Sequence, residues 1–212
     1  ENKSLELYGK SVLIPEGGFT FIEFKNTGED IEFPENTETN FIVAPFKAVA
    51  CYPYKTRAII PICIDTLSFD QTEDKICSVK DFRSKAGQGA PVAVVGVNQA
   101  IVDEGFDNSK VIFEIYFENL GSGDVLKEED YEIACTGQVE RENLDLIKTR
   151  VFLSDEEITS NCVSSNDLVA GSLSSKLYEG EGVILCETIL NKGLNYFTPL
   201  IIESVYGYSN SI

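Results

Sequence analysis

Short runs of β-branched and aromatic residues, separated by turn-forming residues, most constrain the fold of this 212-residue chain. Clear examples are Val92–Val97 and Lys110–Glu118, and later strand candidates include Asp130–Thr136 and Ile147–Leu153. Runs of this kind at intervals of about 8–12 residues are typical of all-β sandwiches. The best helix start is Ser154, because Glu157 stands at capping-box spacing from it, and the residues that follow allow one or two helical turns. The pattern therefore predicts an all-β fold.

A break at Gly87–Pro91 divides the chain, because glycine and proline interrupt regular structure there. We predict a first β-sandwich domain over residues 15–90 and a second, acidic β-sandwich domain over residues 91–212. Residues 1–14 are predicted to form a separate N-terminal strand, since they alternate apolar and polar residues before a short apolar run.

Six cysteines predict disulfide bonds: Cys51, Cys63, Cys77, Cys135, Cys162 and Cys186. None forms a CxxC pair, and the chain has no histidine, so a zinc site would need four thiolates. An even count without metal spacing indicates disulfides in an oxidising compartment; the alternative is six buried, reduced thiols. A Cys63–Cys77 pair is favoured, since its loop of about 15 residues could stabilise by roughly 3 kcal/mol. Three cysteines lie on each side of residue 90, so complete pairing requires a bridge across that boundary.

The chain begins at Glu1 and contains no methionine, which predicts a processed protein. Removal of a signal peptide gives such a start, and so does a trimmed sequence. Asn2-Lys3-Ser4 is a sequon, which makes Asn2 a glycosylation candidate. Together with the cysteines, these features predict a secreted or cell-surface location. No apolar run approaches the roughly 20 residues of a membrane span, so the chain is not expected to span a membrane.

The formal net charge of −18 makes nucleic acid a poor partner, because binding phosphates requires lysine and arginine. The absence of histidine excludes Ser-His-Asp and Cys-His nucleophile pairs. No nucleotide-binding or nucleophile-elbow motif occurs, so we predict no catalysis, no catalytic residue and no cofactor. No metal site is predicted either; weak calcium candidates are Asp103, Glu104 and Asp107, and Asp65 with Asp70.

Two segments, Gln88–Val95 and Val111–Gly123, resemble the opening of the immunoglobulin-like modules of secreted archaeal cell-surface proteins. Three more segments are similar to segments of secreted proteins of small-genome archaea: Cys51–Thr56, Cys63–Asp65 and Thr198–Tyr208. The resemblance lies in strand and turn patterns and transfers no catalytic residue. It implies two immunoglobulin-like β-sandwich domains in tandem, stabilised by disulfides, at the cell surface.

These features predict a structural subunit that binds copies of itself in a pilus-like or thread-like filament, or in a surface layer. Residues 1–14 would leave their own domain and complete the sheet of a neighbour, burying Leu5, Leu7, Val12 and Ile14. The alternative for this segment is an edge strand within its own sandwich. The alternative function is a monomeric adhesin or binding module that recognises glycan or protein through its loops. Tyr52-Pro53-Tyr54 and Tyr206-Gly207-Tyr208 are candidates for an aromatic surface, or for half-buried strand residues.

Overall fold

A computed structural model describes residues 5–9, 13–23, 47–67, 75–84, 88–164 and 173–211. It divides the chain into two compact units, Glu1–Phe46 and Lys47–Ile212. The described residues of the first unit contain no helix and no strand, so the predicted N-terminal strand is not seen over residues 5–9. A backbone bond from Gly18 N to Tyr8 O, 2.6 Å long, joins its two described stretches.

The described part of the second unit is nearly all β. Its strands are β1 (Val49–Asp65), β2 (Phe82–Arg83), β3 (Val92–Glu104), β4 (Asn108–Asn119), β5 (Asp124–Leu126), β6 (Leu146–Leu153), β7 (Glu156–Glu157), β8 (Cys162–Ser164), β9 (Ser174–Lys176), β10 (Glu181–Asn191) and β11 (Asn195–Ser211). One short α-helix, α1 (Tyr131–Ala134), follows a 3₁₀ turn at Glu128–Asp130. Further 3₁₀ turns lie at Arg141–Asn143 and Thr159–Asn161.

These strands form two antiparallel sheets. Sheet A has the order β1-β11-β6-β7, with β5 added beside β11 and β9 added beside β6. Sheet B has the order β2-β3-β4-β10-β8. In β4, Val111, Phe113, Ile115 and Phe117 are buried while the residues between them are half-exposed, as period-two alternation requires.

The core lies between the two sheets. Sheet A contributes Ile60, Ile64 and Leu200, and sheet B contributes Phe113 and Ile184, to one continuous cluster of buried side chains. Because a single core holds both sheets, the architecture of the second unit is sandwich-like.

The predicted boundary between residues 90 and 91 falls inside the second unit. Strand β1 precedes it and pairs with β11 over its full length, from Val49 opposite Ser211 to Asp65 opposite Asn195. Strand β2 also precedes it and pairs with β3. The division in the structure therefore lies at Phe46/Lys47, because strands from both sides of residue 90 share the same two sheets.

Two local predictions were wrong. The helix expected from Ser154 is a turn between β6 and β7: Ser154 has φ +55°, and Glu157 lies in β7 and binds Arg150. A left-handed residue at this position ends β6 and starts a hairpin. The strand expected over residues 130–136 is instead helical, and it includes α1.

All six cysteines pair, as Cys51–Cys135, Cys63–Cys77 and Cys162–Cys186. The predicted local pair Cys63–Cys77 is confirmed, and Cys51–Cys135 is the bridge that crosses residue 90. Three disulfides fit an oxidising, extracellular environment. Among the described residues, no helix is long and apolar enough to cross a membrane.

Candidate functional site

Apolar side chains of the first unit are exposed. Leu5, Leu7 and Ile14 are 49%, 52% and 41% exposed, and Phe21 is 90% exposed. Leu5, Leu7 and Ile14 are three of the four side chains predicted to anchor in a neighbouring subunit. The fourth, Val12, lies outside the described residues, as does the glycosylation candidate Asn2.

Strand β1 is an edge strand of sheet A, because among the described strands it pairs with β11 alone. In an antiparallel pair, residues alternate between those that bond the partner strand and those whose N–H and C=O point away from it. The Cys63 carbonyl accepts a bond of 2.8 Å from Gln99 Nε2 of β3, and the Val49 carbonyl lies 3.7 Å from Cys135 Sγ. Neither contact involves β11. The backbone N–H and C=O groups of the odd-numbered residues of β1 therefore point away from β11.

Pro53 and Pro61 both occupy odd-numbered positions of β1. Proline has no N–H, and it is tolerated in an edge strand where the missing donor faces away from the neighbouring strand. Between the two prolines, the N–H groups of Lys55, Arg57 and Ile59 face the outer side, and no described strand pairs with them there. This segment, Pro53–Pro61, is the open edge.

The side chains of Lys55 and Arg57 give the open edge an excess of positive charge, although the chain as a whole is acidic. Lys55 Nζ lies 2.8 Å from Glu203 Oε2, and Arg57 Nε lies 3.4 Å from Glu203 Oε1. The hydrogen bond from Lys55, together with the charges of both cations and of Arg150, lowers the pKa of Glu203. Two cations therefore share one nearby carboxylate.

The register of β1 and β11 brings the two predicted tyrosine motifs together. Tyr52 lies opposite Tyr208, and Tyr54 lies opposite Tyr206. The rings of Tyr54 and Tyr206 are stacked, with centroids 5.7 Å apart and an interplanar angle of 15°. Tyr52 is tilted against both Tyr54 and Tyr208, with centroids 6.0 and 5.8 Å away. The four rings contact one another in a continuous group, which we call the tyrosine cluster.

The hydroxyl of Tyr206 ties the two sheets together. It accepts a bond of 3.1 Å from the Val92 N–H of β3 and lies 2.9 Å from Thr56 Oγ1 of β1. Thr56 Oγ1 donates to the Val92 carbonyl at 3.0 Å, which leaves Tyr206 as the donor to Thr56. Burial raises the pKa of Tyr206 to about 12, and it also raises the pKa values of Tyr52 and Tyr54.

A cleft of about 380 Å³, which we call the tyrosine cleft, opens beside the tyrosine cluster. Its lining is Tyr52, Tyr54, Gly89, Ala90, Pro91, Leu120, Gly121, Ser122, Tyr208 and Asn210. No charged side chain is among them. Strands β1 and β11 form one wall, and the segment before β3 and the β4–β5 loop form the other.

The β4–β5 loop is built around Tyr208. The Gly123 N–H donates to the Tyr208 hydroxyl at 2.7 Å, and Asn119 Nδ2 donates to the Gly123 carbonyl at 3.0 Å. A Cβ at Gly121 would overlap the Tyr208 hydroxyl, and a Cβ at Gly123 would overlap the Ser209 carbonyl. Close approach to β11 therefore requires glycine at both positions.

A second cavity, of about 420 Å³, lies on sheet B beside Arg83 and Tyr116. The Arg83 guanidinium lies 5.6 Å from the centre of the Tyr116 ring and donates to Asn98 Oδ1. Asn98 and Tyr116 donate to Glu114 Oε2 at 2.8 and 2.9 Å, and these bonds lower the pKa of Glu114. Because this network satisfies its own polar groups, it is a weaker candidate site than the tyrosine cleft.

Among the described residues, the weak calcium candidates form no metal-binding group. Asp103 pairs with Lys192 at 3.0 Å, Glu104 pairs with Lys110 at 3.4 Å, and Asp107 lies in the exposed β3–β4 turn. Buried Asp65 pairs with Lys75 at 2.8 Å, while Asp70 lies outside the described residues. The described residues contain no group of three or more potential metal ligands.

No family model, no characterised protein and no solved structure matches this chain. Both tyrosine motifs are visible in the sequence, but their contact is not; the signal for it is the Tyr-x-Tyr spacing that occurs twice in the chain. The open edge is not among the features predicted from the sequence. The signal for it is that Pro53 and Pro61 lie an even number of positions apart, so both point the same way in one strand.

Proposed function

We propose that this protein is a secreted structural subunit of a cell-surface filament or layer, assembled head to tail by β-strand addition. The open edge of β1 carries the proposal. Three N–H groups between two prolines pair with no described strand, and they offer a row of backbone donors to an added strand. A strand from another copy would satisfy them and extend sheet A.

The added strand in this proposal is the N-terminal segment of a second copy. Leu5 and Leu7 are exposed and lie on one face of an extended chain, with Glu6 on the other. In a strand paired with the open edge, Glu6 would lie on the same face as Lys55 and Arg57, where positive charge is in excess. Repeating the contact from copy to copy gives an open chain of subunits, because donor and acceptor are different surfaces.

Substitutions at Arg57 test the acceptor side. Arg57→Pro removes one outward N–H without touching a bond to β11, and Arg57→Ala removes the same side chain but keeps the N–H. We expect wild type and Arg57→Ala to form filaments or large oligomers, measured by light scattering and negative-stain imaging. Arg57→Pro should remain a folded monomer with an unchanged circular-dichroism spectrum.

Substitutions in the N-terminal segment test the donor side. Leu7→Glu should abolish assembly because it places a charge at a buried anchor, whereas Glu6→Gln should only weaken it. Removal of residues 1–14 should leave folded protein that does not polymerise. Assembly that persists in the truncated chain, or in Arg57→Pro, would show that strand addition at these two surfaces is wrong.

The finer prediction of an immunoglobulin-like fold stays part of this proposal for the second unit, supported by two antiparallel sheets around one core. The second candidate function is a monomeric binding module. The tyrosine cleft favours it, because an uncharged aromatic cleft bordered by loops is a common form of ligand site. Wild-type protein that stays monomeric at every concentration tested would favour this candidate over the structural one.

A further inference from the structure

We propose that the tyrosine cleft is a binding site for a short, uncharged oligosaccharide. The inference does not depend on self-assembly. The lining of the cleft combines aromatic rings with uncharged polar side chains. With a volume of about 380 Å³, the cleft lies at the lower end of the range of roughly 300–1,000 Å³ that small-molecule sites occupy.

The described lining of the cleft carries no charge, which favours a neutral ligand. About a quarter of the residues in the chain are charged, yet neither a cation nor a carboxylate is among the described residues that line this cleft. An anionic ligand, such as a phosphorylated or sulfated glycan, would find no cation among these residues and would be repelled by a chain of net charge −18. A neutral ligand carries no such penalty.

The rings form a wall rather than a cage. Tyr54 is stacked on Tyr206, so one face of its ring is already covered. The ring of Tyr52 makes a tilted contact with the ring of Tyr54. A quaternary ammonium ion is bound best when several aromatic faces surround one point. The rings of Tyr52 and Tyr54, tilted by 54° to each other, suit instead a ligand that packs against one ring and is apolar on its faces and polar around its edge, as a pyranose ring is.

The same cleft is lined by side chains that can form hydrogen bonds with a ligand. The Tyr52 hydroxyl and the Asn210 Nδ2 amide have no hydrogen-bond partner within the described residues. Ser122 Oγ makes one long contact, 3.5 Å, with Asn210 Oδ1. Donors and acceptors that are not engaged by the protein are the groups that orient a polyhydroxylated ligand.

The structure also keeps the cleft in place. Tyr206 is held by Val92 and Thr56, Tyr208 by Gly123, and the Tyr54 hydroxyl donates to the Gly89 carbonyl at 3.3 Å. Both walls are therefore linked by hydrogen bonds before a ligand enters. Preorganisation of this kind reduces the entropy lost on binding.

Tyrosine fluorescence provides the test, because the chain has nine tyrosines and no tryptophan. Full-length protein is titrated with neutral gluco-, manno- and chito-oligosaccharides of three to six units, and separately with a sialylated trisaccharide, a heparin fragment and choline. We expect saturable binding of at least one neutral series, confirmed by saturation-transfer NMR, and none of the charged probes.

Three variants locate the site. Tyr52→Ala removes ring surface, and Ser122→Arg fills the cleft from an exposed position without disturbing the core; each should weaken binding at least tenfold. Tyr178→Ala removes an exposed tyrosine that does not line the cleft and should leave binding unchanged. The proposal is overturned if no neutral series binds, if a charged probe binds in its place, or if Ser122→Arg binds as wild type does.

Discussion

At the residue scale, Tyr206 joins stability to pH. Its ring is fully buried, and its hydroxyl bridges β1, β11 and β3. Burial raises its pKa from 10.0 to about 12, because the tyrosinate form loses solvation inside the protein. The folded state therefore holds the proton more tightly than the unfolded chain does. The stability that follows is complete below pH 10 and is lost as the pH rises toward 12.

We predict that the free energy of unfolding falls by roughly 2 kcal/mol between pH 10 and pH 12, because the unfolded chain loses this proton at a lower pH than the folded protein does. Tyr206→Phe removes the titrating group, so its stability should fall less steeply over this range. The variant also loses the bridge to Thr56 and Val92, which should cost about 1–3 kcal/mol at pH 7. Urea melts at pH 9, 10, 11 and 12 give the free energy of unfolding at each pH. If it falls equally steeply with pH in the two proteins, the prediction is contradicted.

Which residues are chemically notable could be predicted from the sequence, but not which of them meet. Tyr52, Tyr54, Tyr206 and Tyr208 were recognised as two motifs, and the Cys63–Cys77 pair was favoured because both cysteines are close in the chain. The hydrogen bonds of Tyr206 depend on a contact between sheets, which no local pattern encodes. Asp103 and Glu104 show the converse, since neighbouring carboxylates that looked like ligands each pair with a lysine.

At the element scale, the β4–β5 loop depends on glycine at its closest approach to β11. Gly123→Ala places a Cβ against the Ser209 carbonyl, which is backbone and cannot rotate away. We predict that it destabilises the protein by about 1–3 kcal/mol, the usual cost of forced packing, and that it displaces the hydroxyl of Tyr208. Ser122→Ala in the same loop should change stability by less than about 0.5 kcal/mol. Thermal melts of the three proteins measure the difference; a loop that adjusts freely would give three equal melting temperatures.

Long strands were predictable, and short elements were not. Strands β3, β4 and β6 lie where alternation and β-branched residues placed them, because their faces are buried on one side and their pattern records it. The turn at Ser154 was mistaken for a helix start, since capping-box spacing and a tight hairpin use the same residue types. Glu157 reaches Arg150 across the hairpin at 2.6 Å rather than a helix N-terminus.

At the scale of the whole molecule, the first and last described strands of the second unit pair with each other. Strand β1 pairs with β11 along 17 residues. A local break at Gly87–Pro91 looked like a domain boundary because sequence patterns show turns but not long-range pairing. The fold of the second unit instead depends on contacts between residues far apart in the chain, which gain stability only after a large loss of chain entropy.

The Cys51–Cys135 bridge reduces the chain entropy that is lost on folding, because it also restricts the unfolded chain. Its sequence separation of 84 is the largest of the three bridges, and Cys135 is exposed, so little packing is lost without it. We expect Cys51→Ser with Cys135→Ser to lower the free energy of unfolding by about 4–5 kcal/mol, through a less restricted unfolded chain. The denaturant slope should rise as well, because that chain exposes more surface. A loss below about 1 kcal/mol with an unchanged slope would mean that β1 and β11 close the molecule without covalent help.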